Sequence, residues 1–430
     1  MKLSPSRVTA FEILTRIEVQ HEFSSSLLHQ YQQKLDEQDR RLCHELVLGT
    51  LRRQLLLDKL IKILTKSRKL DIEVRIILRL GLYQLYYLDK IPNHAIVNEA
   101  VGLTVRARKS SARGLVNAVL RSASREKPEL VFEDEIDGLS IETSHPKWLV
   151  EKWTQQFGFE LCQKLAIANN EPPKTYFRKT PLGIDATLPE DVREFHEVPG
   201  CFLANSIGSK LRELVDDGKI YVQDAGSQMV ANAVTIESGN LFLDVCASPG
   251  GKTMAIVTNS LVSGQTNTRF YAGDLTDRRI NLLSETIIKQ KGKAEIVQYD
   301  AQLPLPFEEN TFDRVLVDAP CTGTGTIRHN PEIRYFVQPK DFGRMQQRQI
   351  AILNNAANLL KHGGLVIYST CSIEPEENEM VCEQFLAGRD DFRQAAPQIP
   401  VRFVTKNGYG RTFPATDDMD GFFIATFERI

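Results

Sequence analysis

The sequence predicts a multidomain protein: an all-α N-terminal domain, a small α+β linker domain, and a C-terminal α/β domain of Rossmann-like type. Three observations carry this reading. The chain has 430 residues, long for one hydrophobic core and suited to two or three. Its first part repeats apolar residues at helical spacing. From about residue 240, short apolar runs alternate with helical segments, the pattern of a parallel sheet covered on both faces. The domains are expected at 1–127, 128–235 and 236–430.

In the first domain, Ser4-Pro5 reads as an N-cap followed by proline at the first helical position. Val8, Phe11, Leu14 and Ile17 then recur at near-helical spacing, as do the apolar residues of "RRLCHELVLGTLRRQLLLDKLIKIL", "DIEVRIILRLGLYQLYYL" and "GLVNAVLRSA". The net charge of −2 hides an asymmetry. Residues 1–128 carry 23 Lys and Arg against 13 Asp and Glu, and the remainder carries 30 against 42. A basic module on an acidic body fits a polyanion partner, although solvated helix faces give the same excess. The basic clusters Lys66, Arg68, Lys69 and Arg106, Arg108, Lys109 are the candidate phosphate-binding residues.

Composition also excludes. The most apolar region, "RIILRLGLYQLYYLDK", is interrupted by Arg75 and Arg79, which argues against a membrane span. The first residues lack the apolar stretch and cleavage site of a secretory signal. The seven cysteines are scattered, with no CxxC pair and no HExxH. Neither a disulfide framework nor a zinc site is encoded locally, so no metal is expected and a reducing cytoplasm fits best. Nothing in the sequence points to an oligomer, and a monomer is expected.

In the middle of the chain, "PELVFEDEIDG" (128–138) reads as a connector, "SHPKWLVEKW" as a helix and "EPPKTYFRKT" as a strand. "GKIYVQDAGSQMVANAV" reads as a strand followed by a helix. Beyond 240 the strand candidates are "LFLDVC", "RFYAGD", "AEIVQYD", "FDRVLVDAP", "GLVIYSTC" and "GFFIATFE". Between them lie the helix candidates "RRINLLSETIIKQK" and "RMQQRQIAILNNAANLLKHGG", the last expected to stop at Gly363 and Gly364. Ligands of such sheets bind beyond the carboxyl ends of the strands. Asp244, Cys246, Asp274, Asp300, Asp318, Cys321 and Cys371 all fall at or just past such ends.

The stretch "LFLDVCASPGGKT" (241–253) then asks which ligand sits on its glycine-rich turn. A Walker loop requires glycine five positions before Gly251, and Cys246 stands there instead. The G-x-G-x-x-G dinucleotide fingerprint is absent, which also argues against a NAD(P)-dependent oxidoreductase. What remains is a tight strand-to-helix turn preceded by Asp244, whose carboxylate suits cations, amines and hydroxyls better than phosphates. Asp274 is placed to take both hydroxyls of a ribose, and Asp300 to accept from an exocyclic amine of adenine. An adenosine with a cationic, amino-acid-bearing tail satisfies the set, and S-adenosylmethionine is such a molecule.

"DVCASPGGKT", "DAPCTGTG" and "YSTCSIEPEENE" closely resemble the signature motifs of RNA 5-methylcytosine methyltransferases, the NOL/NOP/Sun family, here of the Fmu type. The resemblance is strong over roughly residues 220 to 425. It extends over residues 1 to 125 as similarity to NusB, a helical RNA-binding protein; the middle is matched mainly through "YVQDAGSQ". The resemblance implies a class I methyltransferase domain, S-adenosylmethionine as cofactor, and RNA, most directly 16S ribosomal RNA, as partner. Transfer RNA is the alternative substrate, and a non-catalytic RNA-binding assembly factor is the alternative function. Carried over by motif, Cys246, Ala247, Ser248, Pro249, Gly250, Gly251 and Lys252 form the turn around the cofactor, with Ser248 where the family usually has alanine. Asp274 takes the ribose, Asp300 lies near the adenine, and Asp318 sits between cofactor and base. Arg279 matches a basic position of the family; a plain helix-surface arginine is the equal alternative.

The chemistry explains the residue types. Carbon 5 of cytosine is a poor nucleophile until a thiolate adds to carbon 6 and turns the ring into an enamine-like species. An acidic group beside ring N3 shares a proton as charge develops there, and Asp318 is the candidate. Two cysteines fit the nucleophile, Cys321 in "DAPC" and Cys371 in "STC", and spacing alone does not choose between them. The resemblance implies Cys371 as nucleophile and Cys321 as the cysteine of product release. Lys252 either orients the substrate or the catalytic loop, or serves only as a helix N-terminal lysine. A target base in folded RNA is flipped or already unpaired when it reaches such a pocket.

Overall fold

Helices form wherever the apolar residues of the first part recur three or four apart, and they begin where a side chain or proline opens them. The computed structural model describes residues 3–430. Seven α-helices span Pro5–Gln20, Ser24–Gln32, Glu37–Arg52, Gln54–Leu64, Ile72–Tyr87, Asn93–Arg106 and Arg113–Ala123. Asp36 caps the third by accepting from the Asp39 amide at 2.8 Å. Ser4 precedes the first helix but does not cap it with its side chain, because its hydroxyl meets that of Ser6 at 2.5 Å instead. The helix Ile72–Tyr87 is buried along most of its length and forms the axis of this core, with Ile77, Leu78 and Leu82 at zero exposure. Arg79, one of the two charges that break its apolar run, is itself buried and ion-paired to Asp58 at 2.6 Å and to Glu18. Among the described residues no helix is long and apolar enough to cross a membrane.

The chain divides into two compact units, Met1–Pro172 with Ile327–Val337, and Pro173–Thr326 with Gln338–Ile430. The stretch 128–235, read from the sequence as a domain of its own, is thus split at Pro172/Pro173. Its first half is helical: Asp134 caps a helix Glu135–Thr143, so the connector ends several residues earlier than its acidic composition predicts. Helices Lys147–Phe157 and Phe159–Ala168 follow, and bury Leu149, Val150, Trp153 and Leu165 within the helical unit. The returning segment 327–337 belongs to this unit as well. Glu332 accepts from the Ser24 amide at 2.6 Å, and Tyr335 donates to the carbonyls of Leu51 and Ser144 at 2.8 and 3.1 Å.

The second unit starts with four short strands, β1 (Thr175–Lys179), β2 (Arg193–Glu194), β3 (Cys201–Ala204) and β4 (Ile220–Val222), in the antiparallel order β2-β3-β1-β4. Tyr176 and Cys201 of this sheet share a core with Phe242, Ile256 and Leu316, which is why it joins the C-terminal fold. The main sheet holds β5 (Leu241–Asp244), β6 (Arg269–Asp274), β7 (Glu295–Gln298), β8 (Phe312–Asp318), β9 (Leu360–Thr370), β10 (Phe392–Ala395), β11 (Gly410–Arg411) and β12 (Phe423–Arg429). Its order is β10-β12-β9-β8-β5-β6-β7, with β11 on β12. Strands β5 to β9 are parallel; β12 runs antiparallel to β9, and β10 and β11 each pair antiparallel with β12.

Both faces of this sheet are dry. Along β8 and β9, Val315, Val317, Val366 and Tyr368 point into one core while Leu316 and Ile367 point into the other, the two-residue period of a strand. Each such side chain removed from water contributes about 1.5–3 kcal/mol. The helix before β9 ends at Ala357, earlier than the glycine pair the sequence offers as its stop. Gly363 and Gly364 lie inside β9: pairing jumps from Phe312–Leu360 to Arg314–Leu365, so 361–364 bulge out, with Gly363 at φ +76°.

Candidate active site

The order of the main sheet reverses at β5, between β6 and β8, so a crevice opens beyond the carboxyl ends of these strands. Asp244, Asp274, Asp318 and Thr370 are the last residues of β5, β6, β8 and β9, and each carries its loop to that crevice. The turn after β5 is closed by Ala247 N–H to Gly273 O at 2.9 Å and Gly250 N–H to Ala247 O at 2.6 Å. Gly250 takes φ +102°, and a Cβ there would lie 2.9 Å from Leu283. The helix Gly251–Val262 starts directly from this turn.

A cleft of about 130 Å³ lies along the turn, lined among others by Cys246, Asp274, Arg279, Tyr299, Asp300 and Arg348. A larger concavity, about 830 Å³, lies elsewhere, beside Asn232, Asn259 and Pro400, and none of the residues expected in the site lines it. Asp274 accepts from Ser248 N–H at 2.9 Å, Leu275 N–H at 2.7 Å and Arg279 Nε at 2.6 Å. Arg279 also reaches Ser248 O at 3.2 Å. It is therefore no plain surface arginine, since it ties the turn to the end of β6. Asp300 accepts from Gln302 N–H at 2.9 Å at the cleft rim.

Three buried polar atoms near this cleft have no hydrogen-bond partner among the described residues: Asp244 Oδ1, Tyr299 Oη and Arg348 Nε. An anionic acceptor, a phenol and a guanidinium donor suit a nucleoside that carries an amino acid, so the donor set fits the cofactor class read from the sequence. Sequence reasoning missed Tyr299 and Arg348. The signal for Tyr299 was Gly273 in "YAGD": a Cβ there would lie 2.3 Å from the tyrosine ring, and glycine within a strand marks such close approach.

Nearer the centre of the sheet, Lys252 donates to Asp318 Oδ2 at 2.8 Å and Ser369 donates to Asp318 Oδ1 at 2.8 Å. The Lys252 ammonium lies 5.1 Å over the Phe422 ring. Burial alone pulls Lys252 down, but the charges of Asp318, Cys371 and Asp244 outweigh it and hold the ammonium above the usual lysine range. Cys321 and Cys371 come together here, Sγ to Sγ 3.2 Å, both half-buried. The hydrogen bond to Cys371, then burial, pushes the Cys321 thiol well above the ordinary cysteine value. The loops are close at the backbone too: Gly325 N–H donates to Cys371 O at 3.0 Å, and a Cβ on Gly325 would lie 2.1 Å from Gly421 O.

With this geometry in place, known proteins supply the family. Residues 231–428 match the family described as 16S rRNA methyltransferase RsmB/F, and residues 4–125 match the NusB family. The probable ribosomal RNA small subunit methyltransferase B of Bacillus subtilis is 35% identical over 456 aligned positions, covering 100% of both chains. The chain belongs to the RsmB/F family. The ribosomal RNA small subunit methyltransferase B of Klebsiella pneumoniae strain 342 is 31% identical, with 97% of each chain covered. A solved structure, that of PH0851, covers 100% of both chains at a TM-score of 0.84 and 24% identity, which establishes likeness of fold.

Other expected residues of this RsmB/F protein are now placed. Cys246 sits in the turn and lines the cleft, where burial and the neighbouring Asp274 and Asp244 charges push its thiol far up. Of the basic residues, Arg106 is paired with Glu12 at 3.0 Å, and Lys109 with Asp71 at 2.8 Å and Glu73 at 3.5 Å. Lys66, Arg68, Lys69 and Arg108 are exposed on turns and are the cations left to meet a polyanion. Replacing these four with alanine is expected to weaken RNA binding and to flatten the slope of log K against log salt by about one for each phosphate no longer neutralised. Arg106→Ala and Lys109→Ala are expected to change the slope less; filter binding between low and moderate salt measures both.

Asp244 allows a pH prediction. Burial raises its carboxyl to about 7, opposed by the hydrogen bond from Thr253 at 2.6 Å. A carboxyl raised on folding binds more protons in the folded state than in the unfolded one. Stability from this group is therefore full below about pH 4 and is lost as pH rises through about 7. Asp244→Asn keeps an acceptor for Thr253 and removes the titration. Relative to wild type it is expected to gain roughly 1–4 kcal/mol on going from pH 5 to pH 8, read from denaturation curves at the two pH values.

Proposed function

We propose that this protein transfers a methyl group from S-adenosylmethionine to carbon 5 of a cytosine in 16S ribosomal RNA, with Cys371 adding covalently to carbon 6. The observation that carries the reading is the thiol pair at 3.2 Å beside the Lys252–Asp318–Ser369 array, at the ends of β8 and β9. Membership of the RsmB/F family and the names of its relatives support ribosomal RNA as the substrate class.

Each residue then has a task. Asp244, Asp274, Asp300, Tyr299 and the turn 246–252 hold the cofactor, which supplies an electrophilic methyl group on a sulfonium. Cys371 attacks as thiolate; the Lys252 ammonium close by favours that charge. As the S–C6 bond forms, the ring electrons move toward N3, which takes a proton relayed from the Lys252 ammonium through the Asp318 carboxylate, 2.8 Å apart. Carbon 5 is then the nucleophile. After transfer, Cys321, its own proton lost to solvent, takes the proton from carbon 5, the electron pair expels Cys371 as thiolate, and the N3 proton returns to Asp318. Cys321 is a poor base while Cys371 is free, because the hydrogen bond and charge of Cys371 hold its proton on. Once Cys371 is bonded to carbon 6 its hydrogen bond to Cys321 is gone, and the Cys321 sulfur is free to face carbon 5.

The test is transfer of labelled methyl from S-adenosylmethionine to small-subunit ribosomal RNA and, in parallel, to transfer RNA, with the labelled nucleoside identified after digestion. Label in 5-methylcytidine of 16S RNA supports the reading. Label confined to transfer RNA moves the substrate, and no label in either favours an RNA-binding assembly factor.

A further inference from the structure

Between the two cysteine loops lies a carboxylate that the chemistry above does not use. Glu377, in the turn after β9, is fully buried, and no cation lies within ion-pair distance among the described residues. Its oxygens accept from both loops at the residue next to each cysteine. Thr322, which follows Cys321, donates its N–H at 2.8 Å and its hydroxyl as well. Ser372, which follows Cys371, donates its hydroxyl at 2.7 Å. Gln349 completes the set: its amide nitrogen donates to Glu377 at 3.0 Å and to the carbonyl of Pro320, which precedes Cys321, at 3.0 Å.

We infer that Glu377, with Gln349 behind it, is a positioning residue that fixes the separation of Cys321 and Cys371. It rests on the two-cysteine chemistry proposed above. A backbone amide has only a proton to offer, so Glu377 binds Thr322 as an ionised or proton-free oxygen, and one rigid side chain grips both loops. Burying a carboxylate with four donors and no counter-charge is costly, and packing alone would be served by an apolar residue of similar size. What the carboxylate adds is geometric: each loop is held one residue from its sulfur, so the thiols move only if Glu377 does. The separation matters because the Cys321 thiol lies against the Cys371 sulfur before addition and its own sulfur must then face carbon 5 of the adduct. A displacement near 1 Å in such an arrangement costs about 10²-fold in rate.

The test measures the separation directly as well as its consequence. Phenylarsine oxide bridges two thiols by forming two As–S bonds with loss of water, and it does so tightly only when the sulfurs are close. The full chain is titrated with it, in wild type, Cys321→Ala, Cys371→Ala, Glu377→Gln, Glu377→Ala and Gln349→Ala, with Phe385→Leu, a core residue that makes no hydrogen bond to either cysteine loop, as a control for loss of stability. Wild type is expected to take one equivalent, with about tenfold or greater weakening in each cysteine variant, in Glu377→Ala and in Gln349→Ala, and none in Phe385→Leu. With RNA, the Glu377 variants are expected to raise the ratio of trapped adduct to methylated product, which a mere loss of stability does not move. Arsenical binding in Glu377→Ala and Gln349→Ala equal to wild type overturns the inference. If Glu377→Ala does not fold, Gln349→Ala and Glu377→Gln decide it in the same way. If arsenical binding weakens while Cys321→Ala forms product normally, the positioning holds and the catalytic roles assigned to the cysteines fall.

Discussion

Cys371→Ala is expected to abolish methyl transfer, by about 10⁴-fold or more, and to form no protein–RNA adduct on a denaturing gel. Cys321→Ala is expected to fail differently: it forms the adduct, transfers the methyl group once, and remains attached to the RNA. The asymmetry follows from the pair itself. The hydrogen bond to Cys371 and its own burial disfavour the Cys321 thiolate. Cys371 faces the Lys252 ammonium, which is held charged by Asp318. Removing Cys371 deletes the bond-forming atom. Removing Cys321 leaves addition intact and deletes the acceptor of the carbon 5 proton. The reverse pattern, with adduct in Cys371→Ala and none in Cys321→Ala, would exchange the two roles and sink the assignment.

The second large effect lies far from the chemistry in sequence terms. Arg334→Ala is expected to destabilise the helical unit by on the order of 3 kcal/mol, seen as loss of its cooperative thermal transition at lower temperature. Arg334 has zero exposure, and its guanidinium donates to Thr143 O at 3.0 Å, Asn170 Oδ1 at 2.9 Å and Asn169 O at 3.2 Å. None of these acceptors is charged, and burial brings the group down to about 10. The same burial, with the Arg334 charge, keeps His145 neutral. Truncation leaves three acceptors at the centre of this network without their donor, besides a cavity. Arg334→Lys places one ammonium where a fork was, and is expected to recover only part of the loss. A variant as stable as wild type would show that the network repacks without its centre.

Much of the site was legible because strand ends announce themselves. An apolar run that stops at Asp244, Asp274 or Asp318 carries both its period and its chemistry in a few adjacent letters, and the turn at Gly250 needs a glycine that the sequence displays. The helical unit was legible for the same reason, since Val8, Phe11, Leu14 and Ile17 repeat on one face. What stayed hidden was assembled across the chain. Glu377 meets Thr322 across 55 positions and Arg334 meets Thr143 across 191, and neither pairing leaves a local trace. Composition misled where one residue type serves two ends: the acids of 128–138 read as linker, yet Asp134 opens a helix, and Gly363-Gly364 read as a helix stop, yet they bulge a strand.

The return of residues 327–337 to the helical unit has a consequence for synthesis on the ribosome. By residue 172 that unit has all of its helices but the short one at Ile333–Phe336, and Ser24, Thr143 and Asn170 still lack the buried partners that Glu332 and Arg334 provide. These partners emerge about 160 residues later, a wait of roughly 10–30 s at ordinary elongation rates. During that interval β5 to β8 are made. The part translated first is therefore finished only after more than half of the second unit has been made, and the newborn helices stay open to chaperones until the loop bearing Cys321 has left the tunnel.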